Sequence, residues 1–520
     1  MPTEPADIRV LVDWNNDGDY DDSYDEITDD VLEVSWQRGR DYASQLSGRS
    51  TAGKLTARLK NNDGKYSPSN TSSVLTGNIL PGRSVRLNAG GGTFPYEFPI
   101  AFGTDPQFVG KLERITPTPA AHGLKTCTLT AYGTLGYLND FRPSLATQID
   151  QRTDQALGAI LDDVGWPADD RNLDTGKTTM TRFWVDGPKT LDAMRIVEET
   201  EGGFIKEEKD GKVGFENRHT RLLSPYNTSQ ATFSDASDAT RTYTVLTQED
   251  PLSTITNHFE SSARTYTTAG VAVLWTHPET GADSPLLTAG QARTFEAIYP
   301  NPSSANNALE VNAWTTPAAT TDYLGNTASD GSGTNLTASI AVSVAKTSER
   351  MVITLTNNHA SSSAYMTKIQ ARGTAVTSND PVKLRAIDTA SQTDYGERKY
   401  VAKTEFFPSS AEAQNWGDYQ NAIFGSPINI LTMEFNANAT EENLAEALGR
   451  DISDRVTITA TNNANLGINA DFFIESIRHH ISQGTKLHKV AWKLSPASGG
   501  YSAFWVLNTG ALNVSTVPAY

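Results

Sequence analysis

Between residues 53 and 87 the side chains change character with every step along the chain. Leu55, Ala57 and Leu59 alternate with Thr56, Arg58 and Lys60, and Val85 and Leu87 resume the pattern after a break. A helix repeats its buried face every three to four residues, so a period of two suits a strand with one covered face. The break is made of chain-turning residues. Asp63-Gly64 offers the positive-φ positions of a hairpin-type turn. Ser67-Pro68 stops a further strand, because Pro has no N–H for a ladder. Pro81-Gly82 fits a second turn. This stretch predicts antiparallel β-structure with well-marked turns.

The same reading extends to both sides. A strand opens at 8–13, an acidic loop follows, and a second strand runs through Val31, Val34 and Trp36. A strand pair is expected at 108–115 and 127–132, which makes 1–145 one β-domain. At 520 residues the chain exceeds a single core and calls for three to four domains. The period changes over 146–262. Thr153 is placed to cap a helix carrying Leu157, Ile160, Leu161 and Val164, which Gly165 and Pro167 end. A second helix starts near Pro188 and carries Leu191, Met194, Ile196 and Val197, with Glu198 and Glu199 expected on its exposed side. Gly202-Gly203 closes it, and a hairpin over 204–216 turns at Asp210-Gly211. Residues 263–376, rich in Thr, Ser, Ala and Asn, read as an inserted β-sandwich with strands at 339–344 and 351–356. Strands return over 377–500, with one short helix at 440–449 and a closing hairpin of 472–481 against 485–494 across Gln483-Gly484. Residues 501–520 form a tail. The fold class expected is mainly β with α+β parts.

Composition excludes several classes of function. Lys and Arg number 43 against 61 Asp and Glu, a net charge of −18. Phosphate contacts need clustered basic residues, so specific nucleic-acid binding is not expected. No apolar run approaches the roughly 20 residues of a membrane span, so no stable membrane insertion is expected. The first residues lack a basic region followed by an apolar one, which reads as no signal peptide and assembly in the cytoplasm. Cys127 is the single cysteine. It lies in a strand-like alternation and reads as a small core residue with no intrachain disulfide to form.

One motif points to an ion. Asp13, Asn15 and Asp17 stand at positions 1, 3 and 5 of a loop, with Gly18 at 6, Asp19 at 7 and Asp21 at 9. This matches the start of an EF-hand calcium loop, where hard oxygen ligands wrap one ion around a glycine turn. Position 12 is Tyr24 rather than Glu, and Asp25 stands one place later to substitute. Asp and Asn favour turns in any case, but so many carboxylates crowded together favour a structural Ca²⁺. His479, His480 and His488 form a second candidate, with His479 expected to face His488 across the hairpin. With no third ligand evident, an ordinary cross-strand pair is the preferred reading. The pairs Asp162-Asp163, Asp169-Asp170 and Glu198-Glu199 read as solvated faces. No HExxH, GxSxG or Walker A motif occurs, and no catalytic residue is assigned. Trp275, Trp314 and Trp416 are read as core or interface residues, with sugar stacking as the competing role.

In order along the chain, four pieces resemble the baseplate hub family at the tail tip of bacteriophages. They are the 53–87 stretch; 108–115 with the 131–138 segment; the helix–helix–hairpin unit ending at 210–218; and the C-terminal series 454–458, 472–479 and 488–494. Together they span about two-thirds of the chain, and 265–375 falls outside them. The resemblance implies two hub-type β-barrel domains, 1–145 and 377–500, joined by mixed α/β pieces. It implies a homotrimer whose barrels form a pseudo-sixfold ring. That ring would meet the tail tube or distal tail protein on one side and fibre or spike proteins on the other. It implies a structural, non-enzymatic virion protein that gates DNA exit. The alternative is a carbohydrate-binding adhesin that holds a host-surface glycan with the 263–376 sandwich.

Overall fold

The computed structural model describes residues 6–40, 50–90, 105–119, 123–278, 283–299, 308–464, 466–482 and 486–497, and two short strands within 501–520. Strands β1 (Asp7–Val12), β2 (Val31–Arg40), β3 (Ser50–Lys60), β4 (Ser84–Gly90), β5 (Pro106–Thr118) and β6 (Thr126–Gly133) lie side by side in the order β1-β4-β5-β6-β3-β2. The alternation read at 55–59 and 85–87 is a one-faced burial. Leu55, Ala57, Leu59, Val85 and Leu87 are all fully buried, and Cys127 lies among them. The expected hairpin at Asp63-Gly64 does not form. β3 pairs with β2 and β6 instead, and 61–83 runs as successive turns without a strand. Side chains take over the ladder's role there. Asn61 Oδ1 accepts from Tyr66 N–H at 3.0 Å, Asn70 Nδ2 donates to the Gly64 carbonyl at 3.1 Å, and the Ser73 hydroxyl donates to the Lys65 carbonyl at 2.6 Å.

The next unit holds α1 (Thr134–Leu138), β7 (Gln148–Arg152), α2 (Thr153–Asp163), β8 (Arg171–Leu173), β9 (Thr179–Phe183), α3 (Thr190–Glu201), β10 (Phe204–Glu207) and β11 (Val213–Glu216). Leu157, Ile160 and Leu161 of α2 meet Met194 and Val197 of α3 in a core of their own. Thr153 is the first helical residue rather than the cap. Gln155 Oε1 takes the Arg152 N–H at 3.1 Å, while the Thr153 hydroxyl donates to Glu201 at 2.8 Å. β10 and β11 form the expected hairpin, with Gly211 at φ +88° in its turn.

Strands β12 (Ala231–Ser234), β13 (Val245–Glu249) and β14 (His258–Ala263) lead to the inserted region. There β15 (Tyr266–His277), β16 (Leu286–Leu287), β18 (Ala308–Thr315) and β19 (Tyr323–Asn326) gather on β22 (Ala364–Ser378). β17 (Ala292–Ile298), β20 (Ile340–Lys346) and β21 (Arg350–Asn357) make a second sheet. The two sheets share one core, including Leu287, Val311, Met351, Ile353, Leu355 and Met366. β23 (Val382–Ile387), α4 (Thr389–Tyr395), β24 (Lys399–Val401) and α5 (Ser410–Phe424) follow. α5 lays Trp416 against Phe259 and Ala386 of the β23-β14-β24 sheet.

The last region comprises β25 (Ile430–Asn436), α6 (Glu441–Gly449), β26 (Arg455–Ala460), β27 (Ile468–Ser482) and β28 (Leu487–Pro496), with β29 (Phe504–Trp505) and β30 (Val517–Pro518) pairing in the tail. Thr440 caps α6 through the Asn443 N–H at 3.0 Å. The first and last regions are not separate sheets. β2 pairs antiparallel with β27, from Glu33↔Ser482 to Gly39↔Ser476, and a single twelve-stranded sheet runs from β1 to β13. Val10, Leu55 and Leu129 from the first region share one core with Phe233, Phe435, Val456 and Trp492.

Candidate functional site

The seam where β2 meets β27 concentrates the buried charge. Gly39 has φ +127°, and an added Cβ would run into the Glu475 carbonyl oxygen and Ser476 Cα. Only glycine lets the two backbones approach this closely. The arginines on either side turn inward. Arg40 stands 3.2 Å from Glu475, and Arg221 grips the same carboxylate with both terminal nitrogens, at 2.6 and 3.1 Å. The Ser495 hydroxyl adds a donor at 2.6 Å. Phe204 lies between the two guanidiniums, 3.6 Å from Arg40 and 4.7 Å from Arg221. Burial alone would oppose ionisation, but the two arginines outweigh it and hold Glu475 down at about 2.

The network continues outward. Ser453, at φ +77°, accepts from Arg221 and donates to Glu216 at 2.6 Å, and Glu216 holds Lys206 at 2.7 Å. Arg38 reaches Asp451 at 2.9 Å and the Glu207 carbonyl at 3.0 Å. The Glu207 carboxyl accepts backbone N–H groups from Gly53 at 2.5 Å and Leu135 at 3.0 Å. Burial still pushes it up to about 7 against those donors and Arg38. These contacts tie β2, the β10–β11 hairpin and the 451–495 segment together through side chains. They leave the charges engaged with one another across the segments they join.

A second knot corrects the sequence reading. Glu198 and Glu199 are buried, at 3% and 6% exposure. Glu198 accepts the Ile205 N–H at 2.8 Å. Glu199 accepts the Tyr400 hydroxyl at 2.5 Å and the N–H groups of Lys403 and Thr404 at 2.8 and 2.9 Å. Glu201 takes the Lys177 and Thr178 N–H groups. The sequence carried a signal for this. Three glutamates at a helix C-terminus with no basic residue in the last turn oppose the helix dipole, and donors from elsewhere must offset that. Asp162, Asp163, Asp169 and Asp170 are exposed, as expected.

The acidic loop folds around its own backbone. Asp13 and Asp25 are buried, at 2% and 1% exposure. Asp13 accepts from Asn16 N–H at 2.6 Å and Gly18 N–H at 3.2 Å, and Asp25 from Trp14 and Asp22 N–H at 3.4 and 3.2 Å. Asn15 Nδ2 bridges Asp17 and Asp22 at 2.7 and 2.6 Å, while Asp17 and Asp19 each accept from the N–H two residues on. A shared hydrogen bond with Asp19 raises Asp21, and burial raises Asp25. Among the described residues no group of three or more His, Cys, Asp or Glu stands where it could hold a metal.

The histidines are a core feature. His479 lies opposite Val490 and His488 opposite Ile481, so the two are diagonal rather than directly paired, yet His479 Nδ1 and His488 Nε2 are 2.9 Å apart. Trp36 stacks on His479 at 4.4 Å and 3°. Burial drives both imidazoles towards the neutral form, His488 down to about 3. The Gln483-Gly484 turn lies outside the described residues. Trp314 and Trp416 are buried, and Trp275 is half-buried with its ring centroid 5.9 Å from that of His277.

No family model matches the chain, and no curated protein matches it. Solved structures do. The tail protein from Neisseria meningitidis MC58 aligns over 94% of this chain and 96% of its own, with a TM-score of 0.50 and 11% identity. The prophage MuSo2 43 kDa tail protein from Shewanella oneidensis aligns over 94% and 97%, at a TM-score of 0.45 and 9% identity. The E. coli c3393 protein is a type VI secretion component described as similar to the T4 bacteriophage tail proteins gp27 and gp5. It aligns over 91% and 75%, at 0.39 and 7%. The chain is mostly β and shares the fold of the Neisseria tail protein over 94% of its length.

Proposed function

We propose that this chain is a structural protein of a phage-type tail and serves as the hub at its tip. The observation that carries this reading is the tail-protein fold shared over almost the full length of both chains. The buried networks support a mechanical role, since the perturbed groups Glu207, Lys206 and Glu475 are taken up in joining segments. In this reading the chain is a homotrimer without enzymatic activity. Its ring bridges the tail tube or distal tail protein to fibres or a spike and gates the passage of DNA. A lumen lined by an acidic protein suits a polyanion that must not be retained. No helix among the described residues is long and apolar enough to cross a membrane. We further propose that Asp13, Asn15, Asp17, Asp19, Asp21 and Asp25 close on one Ca²⁺, which would relieve the crowding that raises Asp21.

Electron-microscopy class averages of the purified chain, with calcium and with chelator, test both parts. Threefold rings with a central opening are expected, better ordered with calcium. Monomers at every concentration, with tail-tube protein present as well, would overturn the hub reading. Identical particles and melting temperatures with and without calcium would overturn the ion.

A further inference from the structure

The inserted sandwich is attached to the rest of the chain in two places of different kind. One is covalent: a two-stranded ribbon, in which Ala263↔Val382 closes the β14–β23 pair and Tyr266↔Ser378 opens the β15–β22 pair, with Asn379 bonded to Thr265 between them. The other is a seam of side chains against the helix–helix–hairpin unit. There the Thr147 hydroxyl lies 2.7 Å from Glu310 Oε2 and the Ser348 N–H donates to the Leu145 carbonyl at 2.9 Å. Arg182 bonds to Asn312, and donates to Thr268 at 2.7 Å. Arg350 binds Asp186 at 2.9 Å and Glu296 at 2.7 Å.

The seam is short of protons. Thr147 Oγ1 stands 2.7 Å from Glu310 Oε2 and 3.0 Å from the Val311 carbonyl, and its one hydrogen cannot serve both. A proton on Glu310 resolves this: the acid donates to Thr147, and Thr147 donates to Val311. Glu310 is fully buried, and its Oε1 has no hydrogen-bond partner among the described residues, which suits a neutral acid and not a carboxylate. Glu349 precedes Arg350, whose guanidinium holds Asp186 at 2.9 Å across the seam, and burial and the Asp186 charge raise the Glu349 carboxyl.

We propose that this seam is a proton-operated latch: the sandwich stays docked while Glu310 and Glu349 are protonated, and swings out on its ribbon when they ionise. The surrounding charges agree in direction. Around Glu310, burial and, less strongly, Glu349 raise it against Thr147 and Arg182, and the balance stands at about 7. Around Glu349, burial and Asp186 raise it to about 7 against Arg350. Tyr266, near Glu310, stays neutral through burial and the Glu405 charge, against Arg264 and Arg182. Released into water both acids would titrate near 4.5, their ordinary value. Docking is therefore fully favoured below that pH and is lost as pH rises through about 7.

Hydrogen exchange of the full-length chain from pH 5.5 to 8.5, corrected for intrinsic rates, tests the latch. The Ser348 amide, whose bond to the Leu145 carbonyl crosses the seam, should lose protection as pH rises towards 7, by up to about tenfold per pH unit for each proton released, and level off above that, while the amides of β21 hold. Glu310→Gln combined with Glu349→Gln should flatten that dependence. Constant seam protection across the range, or a folded double variant that opens as the wild type does, would overturn the proposal. The wild-type titration decides alone if the double variant does not fold.

Discussion

Glu475 shows what a single residue contributes here. It is a buried carboxylate held by two guanidiniums and a hydroxyl, and its depressed value makes it a source of stability with a pH window. That contribution is complete above its ordinary value near 4.5 and is lost as pH falls towards about 2. Glu475→Gln should destabilise the protein at pH 7 by about 3–5 kcal/mol, because Arg40 and Arg221 are left buried without their counter-charge. Chemical denaturation from pH 7 down should show the gap to wild type narrowing below pH 4.5; an unchanging gap would mean the ion pairs contribute nothing. Little of this was legible in sequence. Arg40, Arg221 and Glu475 lie in three distant segments, and nothing local marks any of them as buried. The Asp13–Asp25 loop was legible because its spacing is local.

At the scale of elements, alternation and turn residues located β1 to β6, the β10–β11 hairpin, β20, β21, β27 and β28, and helical spacing located α2 and α3. Local signals failed where side chains displaced the ladder, as at 61–83, and where distant segments covered an element's end, as at Glu198 and Glu199. The pairing of β2 with β27 is the element-level feature with the sharpest consequence. Gly39→Ala should cost roughly 1–3 kcal/mol for the overlap with Glu475 and Ser476, and more for the positive φ. Thermal melting is the measure, and the loss should be larger than for Gly158→Ala, where an added Cβ meets nothing within 4 Å. Equal effects at the two positions would show that the strands can part without strain.

At the scale of the molecule, the mainly β class and the tail-protein fold agree with the reading from sequence. Invisible in the sequence was that the strands of the first and last regions share one sheet and one core. A fragment of residues 1–145 should therefore lack a cooperative thermal transition and bind a hydrophobic dye. With β27 gone, the free edge of β2 and the Trp36 face that stacks on His479 are bare. A sharp transition from that fragment would mean the first region is an independent barrel.

The β2–β27 seam also sets a timetable. Arg38 and its partner Asp451 are 413 residues apart. At the usual pace of synthesis, about 5–20 residues per second, β2 waits on the order of 20–80 seconds for the strand that completes it. Throughout that interval the nascent chain carries an open edge, and contacts of such long range form slowly even once all the strands exist. The step most exposed to error in this protein's life thus falls during and just after translation. Supply of correctly folded chain would be governed by whatever shields that edge on the ribosome, well before any assembly begins.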